Sequence, residues 1–211
     1  MKKIEELIAS LAQDAAPVKS GAHPYKLSLQ WLAAAVAYLA LTLAYSGLRP
    51  DLLSKLQMSF FLVEIGLLAA IVIATSLSAA ILSFPDMHQK RRMAHIPIFM
   101  IVLFALVILL AWRADAPIEP LPKHGMQCLL FISSLTLLPA VWMFYTMRSL
   151  ASTHPYFAGS IALLSAFSLG ALSLRLSEPT DSILHVMQWH YLPMVGVGII
   201  GLWLGKKLLK W

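Results

Sequence analysis

Charge is scarce in this chain and cysteine nearly absent. Of 211 residues, 12% are Asp, Glu, Lys or Arg, and there is a single cysteine, Cys128. A soluble domain usually carries about 25% charged residues. The deficit excludes an ordinary water-soluble globule. One thiol excludes an intramolecular disulfide and any multi-cysteine metal cluster. The sequence holds no P-loop, nucleophile elbow or dinucleotide fingerprint, so neither an enzyme nor a cofactor is expected. The seven histidines carry no metal-ligand spacing. His88 and His95 flank a basic loop, and His124 precedes a hydrophobic run. His185 and His190 are five apart, and on an α-helix they diverge by about 140°. A cleavable signal peptide is not expected either. Lys2, Lys3, Glu5 and Glu6 open the chain and no apolar core follows at once.

What the chain does have is hydrocarbon. Hydrophobic residues make up 59% of it and the mean hydropathy is +0.76. Six stretches approach membrane-spanning length, at 27–46, 57–84, 96–112, 126–147, 157–174 and 183–204. The expectation is an all-α integral membrane bundle of six transmembrane helices, preceded by a short amphipathic helix. Residues 1–26 form an N-terminal segment, 27–205 the membrane domain and 206–211 a basic tail. Pro139 and Pro193 fall inside spans four and six and are expected to kink them. The stretch 175–182 between spans five and six is short and only partly polar.

Positive charge alternates from side to side. Lys2, Lys3, Lys19, Lys26, Lys90, Arg91, Arg92, Arg148, Lys206, Lys207 and Lys210 fall on one side. Arg49, Lys55, Arg113, Lys123 and Arg175 fall on the other. Lys and Arg accumulate on the cytoplasmic side, so both termini are expected inside. The net charge of +6 reads as topology and lipid headgroup contact. Basic residues scattered over four short segments do not make a nucleic-acid face.

Ionisable groups within a span are costly and usually kept for function. Glu64, about two turns into span two, is the clear instance. With the kinked spans it supports an alternative reading, a small transporter. The structural reading is that Glu64 reaches interfacial water or an arginine such as Arg49 or Arg175. Cys128 sits at the outer end of span four. It is either a signal-sensing thiol, sensitive to redox or metal or pairing between chains, or a small apolar filler. Met58, Met93, Met100, Met126, Met143 and Met147 are dispersed, as packing residues are.

The N-terminal segment is the one polar stretch large enough to hold a partner. Ile4, Leu7, Ile8, Leu11 and Ala15 recur at helical spacing and form one apolar stripe. Glu5, Glu6, Ser10, Gln13 and Asp14 take the other faces, and Pro17 ends the helix. A helix this short is marginal alone in water and needs a surface to bury its stripe. An in-plane membrane anchor usually has a strongly basic polar face, which this helix lacks. A groove on a cytosolic partner and the chain's own bundle are the remaining covers.

Leu7-Ile8-Ala9-Ser10-Leu11-Ala12-Gln13-Asp14-Ala15-Ala16-Pro17-Val18 resembles the N-terminal signature of NrsF-type membrane anti-sigma factors. Gly47-Leu48-Arg49-Pro50-Asp51-Leu52 is similar to that family's first outer loop. Cys128-Leu129-Leu130 with Leu138-Pro139 is similar to its fourth span, and 205–211 to its basic C-terminus ending in Trp. The resemblance implies an anti-sigma factor of the bacterial inner membrane with no catalytic chemistry. Its cytosolic N-terminal segment would hold an extracytoplasmic-function sigma factor away from core RNA polymerase. An envelope stress signal would release it. Leu7, Ile8, Leu11, Asp14, Pro17 and Val18 would carry sigma binding. Members carry two outer cysteines. Cys128 matches the first, and Ser177 or a neighbour stands where the second would fall. No direct nucleic-acid contact is implied, and a homo-oligomer stays open.

Overall fold

The computed structural model describes residues 2–14, 23–85, 91–114, 125–150 and 152–209. Helix α1, Lys2–Asp14, stops before Pro17, which lies outside the described residues. Helix α2, Pro24–Ser46, starts on a proline, whose missing N–H costs nothing at a first helical position. The ring of His23 accepts a hydrogen bond from the Tyr25 amide at 3.4 Å. Gly47 closes α2 at φ 80°, a left-handed conformation that glycine adopts without strain. A short helix, α3 (Leu52–Lys55), follows in the loop and was not expected from the sequence. Next come α4 (Ser59–Leu82), α5 (Arg91–Ala94), α6 (Ile96–Ala114), α7 (Gly125–Arg148) and α8 (Pro155–Ser177).

The last span, Ile183–Leu208, is not one α-helix. It comprises α9 (Ile183–His185), a π-helical turn (Val186–Tyr191) and α10 (Pro193–Leu208). Pro193 therefore opens a new helix where a kink inside one was expected. Proline cannot donate into a helical ladder. The π turn closes ahead of it with Leu192 N donating to Met187 O at 2.8 Å. Helix α10 continues through Leu208, so Lys206 and Lys207 lie on the helix.

Six helices are long and apolar enough to cross a bilayer, and they are the six read from hydropathy. The fold is an all-α membrane bundle with a short amphipathic helix at its start. Helix α8 is its axis. In its 18-residue core 94% of residues are buried, and α2, α4, α7 and α10 pack around it. Nearly half of its residues are Gly, Ala or Ser, which lets backbones approach closely where lipid supplies no hydrophobic drive between helices. A Cβ on Gly201 of α10 would sit 2.6 Å from Ser160 Cα, and one on Gly170 would sit 2.9 Å from Ile132 O. Hydroxyls bridge the same contacts. Ser76 meets Ser165 at 3.1 Å, Thr42 meets Ser173 at 2.9 Å, and Ser160 donates to Gly198 O at 2.9 Å. Helices α2 and α6 turn most of their surface outward, with Leu29, Val36, Leu41, Phe99 and Val102 exposed as a lipid-facing side requires.

Chain direction alternates. Arg49 N donates to Leu176 O, so the end of α2 and the end of α8 lie together. Ser152 Oγ donates to Leu82 O, so the end of α4 lies by the start of α8. One end of the bundle thus gathers the 47–58 loop, the start of α7 and the 178–182 turn. The other holds the start of α2, into which α1 leads.

Candidate functional site

The first candidate is α1. Four residues of its apolar stripe, Ile4, Leu7, Ile8 and Leu11, lie on the helix and are each about 60% exposed, while Ala15 lies outside the described residues. Of the two covers left open for the stripe, the chain's own bundle does not supply one among the described residues. The Asp14 backbone ends the helix, and its side chain, Pro17 and Val18 lie outside the described residues.

The second candidate is a buried polar cluster at the loop end of the bundle. Glu64 is 1% exposed and is gripped by Arg175, with Nε to Oε1 at 3.0 Å and Nη2 to Oε2 at 3.1 Å. This fork-on-fork pairing is the strong geometry for arginine and carboxylate. The Tyr191 hydroxyl also donates to Glu64 Oε1. Of the two partners weighed for Glu64, Arg175 is the one used. The pairing matches the structural reading of Glu64, a carboxylate that reaches an arginine.

The network extends outward from there. Arg175 Nη1 donates to Thr180 O at 2.6 Å and reaches Asp181 at 3.5 Å. Asp181 also receives Lys55 at 2.7 Å and Arg49 at 3.1 Å, and Arg49 pairs with Asp51 at 2.7 Å. Arg49 and Arg175 lie over the Phe61 ring at 5.2 and 5.0 Å. The hydrogen bond from Arg49 holds the Asp51 carboxyl below its ordinary pKa. Burial pushes the Asp181 carboxyl up, and hydrogen bonds from Lys55 and Arg49 outweigh it, leaving that pKa lowered too.

Cys128 stands beside this network. Its sulfur lies 3.5 Å from both carboxylate oxygens of Glu178 and 3.5 Å from His185 Nε2. His190 Nε2 lies 3.7 Å from Glu178 Oε2. Cys128, His185 and His190 are buried and Glu178 is half-buried. The two imidazoles do not diverge as an α-helix would make them; their ring centres are 5.3 Å apart. A π-helix closes i to i+5, so residues five apart share a face. Trp189, in the same turn, packs against Gly125, where a Cβ would collide with its ring. That contact seats the π turn one helical turn from Cys128. Glu178, His185, His190, Asp181 and Tyr191 were not singled out as site residues from the sequence. The one local signal was Pro193, which pointed to a kink and not to the π turn that precedes it.

A six-span bundle with an exposed amphipathic helix at one terminus is, in class, a membrane protein that presents one apolar helix face outside its bundle. A family model, negative regulator of sigma F (NrsF), matches residues 11–211. The chain belongs to the NrsF family and is an anti-sigma-type regulator with a sigma factor as its class of partner. It is 27% identical over 216 residues to the anti-sigma-F factor NrsF of Caulobacter vibrioides (strain NA1000 / CB15N), covering 99% of this chain and 100% of that one. No solved structure matches. The family match starts at Leu11, so Leu7 and Ile8 lie just ahead of it.

Proposed function

We propose that this protein sequesters an extracytoplasmic-function sigma factor through residues 1–26 and releases it on an envelope signal. The uncovered stripe of α1 carries the reading. Leu7, Ile8 and Leu11 supply apolar area for a groove on the sigma factor. Asp14 pairs with a basic residue there or caps a helix N-terminus. Pro17 and Val18 fix where the segment leaves that groove. The protein sits in the bacterial inner membrane with both termini cytoplasmic. Eleven of its sixteen Lys and Arg residues on the side of the termini support that orientation. The polar cluster then faces the periplasm, where a signal arrives, and Cys128 belongs to that end. Catalysis has no part in this cycle.

Deleting residues 1–20 tests the reading. The truncated chain is expected to insert as a bundle and to leave the sigma factor active. Continued sequestration by the truncated protein refutes the assignment. A pull-down with a peptide of residues 1–20 identifies the partner directly.

A further inference from the structure

We propose that Cys128, Glu178, His185 and His190 form a binding site for a borderline divalent transition-metal ion of the zinc type. The inference goes beyond the anti-sigma reading and does not depend on it. One ligand atom from each residue can be chosen so that all four lie within 4.8 Å of one another. A tetrahedral ion with Zn–N near 2.0 Å and Zn–S near 2.3 Å has ligand-to-ligand edges of roughly 3.3–3.7 Å. Observed separations fall there already, with sulfur to Glu178 and to His185 Nε2 at 3.5 Å and His190 Nε2 to Glu178 Oε2 at 3.7 Å. Closing the widest pair takes an adjustment of about 1 Å, within reach of side-chain torsions.

A second observation points to a ligand. His190 is 1% exposed, and neither of its ring nitrogens makes a hydrogen bond within the described residues. A buried polar group without a partner calls for a water or an ion. Its Nε2 faces the carboxylate that also faces the thiol. A hydrogen-bonded cluster alone accounts for Cys128 and Glu178 but leaves His190 aimed into the group with nothing to bind.

The donor set selects the ion. Thiolate with two imidazoles suits zinc-like and copper-like ions, whereas calcium and magnesium take oxygen ligands. Binding requires the thiolate, so the thiol proton leaves to water as the metal–sulfur bond forms. The imidazoles enter neutral, each through a lone pair, and no electron changes hands.

The test uses the full-length protein in detergent micelles with a non-chelating reductant. Cobalt(II) is titrated first, because its thiolate charge-transfer band reports sulfur ligation. Zinc(II) then displaces it in competition with a chromophoric chelator. One ion per chain is expected, with magnesium(II) giving no competition. Cys128→Ser should abolish the band. Glu178→Gln and His190→Gln should each lower affinity at least as much as the roughly 10–100-fold lost with a mere supporting partner. His95→Gln, outside the cluster, should leave affinity unchanged. X-ray absorption of the zinc-loaded wild type needs no variant and should show one sulfur among nitrogen and oxygen neighbours. A zinc spectrum without sulfur, no cobalt–thiolate band in wild type, or affinity unchanged in His190→Gln overturns the proposal.

Discussion

Glu64 and Arg175 are both almost fully buried, and the energetics of such a pair are asymmetric. Removing one partner leaves a buried charge uncompensated, at a cost of about 3–5 kcal/mol. Replacing both by apolar groups costs far less, because neither charge then needs solvating. Glu64→Gln should therefore lower the melting temperature in detergent sharply, and Glu64→Leu with Arg175→Met should recover most of the loss. If the double variant melts as low as the single one, the pair is not the cause. Asp51 and Asp181 report at the same scale but through pH. A carboxyl with a lowered folded pKa stabilises the fold above its unfolded value, about 3.9, and loses that contribution as pH falls through the folded value. The difference in melting temperature between wild type and Asp51→Asn should stay level from about pH 7 to 5 and shrink below about pH 4. A gap that closes above pH 5 would contradict the pairing. The sequence named Glu64 and offered Arg49 or Arg175 as its partner. Choosing between them needed the register of α4 against α8, which hydropathy does not encode.

At the scale of elements, α1 and the π turn mark the two extremes of what a sequence discloses. Helix α1 was readable because its stripe is local: residues three and four apart meet on any α-helix. Its exposure was not readable, since that depends on what the rest of the chain covers. Truncating Leu7 or Leu11 to Ala should weaken capture of the sigma factor by about ten- to hundredfold each, the effect of about 1.5–3 kcal/mol of lost burial. Bundle melting should stay unchanged, because the stripe is uncovered in the free protein. The π turn was invisible. Pro193 suggested a kink, but nothing local shows that the chain resolves it by widening the preceding turn, which swings His190 beneath His185. Helix α8 depends on contact between backbones. Gly201→Leu should wedge α10 away from Ser160 and destabilise the fold by about 1–3 kcal/mol or more. Unchanged melting in that variant would show that the two helices do not sit as close as described.

For the whole molecule, span count and alternation follow from apolar length, and so were legible. Arrangement was not: the sequence order does not reveal that the fifth span is the axis. Its Ser-rich composition is a sign of a helix shielded from lipid, read with hindsight, whereas its hydropathy of 1.8 lies within the range of the other spans. The cluster at the loop end escaped for a related reason. Its members come from the 47–58 loop, α4, α7, the end of α8, the 178–182 turn, α9 and the π turn, and only the packed bundle assembles them. Orientation is a further whole-molecule property. A fluorescent protein fused after Trp211 should fold and fluoresce, and alkaline phosphatase fused after Glu119 should be active. The reverse pattern would place the polar cluster in the cytoplasm and refute the proposed signalling direction.

The buried Ser-rich axis also bears on how the protein is made. A segment whose core is 94% buried in protein and which carries Arg175 near its end is shaped to meet other helices rather than lipid, where an unpaired arginine at depth is costly. Synthesis brings α4, with Glu64, out first, and it must wait more than a hundred residues for its counter-ion. Biogenesis of this protein is therefore a matter of order. The earlier helices must linger beside the insertion channel as a receptive cradle, and the fifth enters by docking against protein before it ever meets lipid.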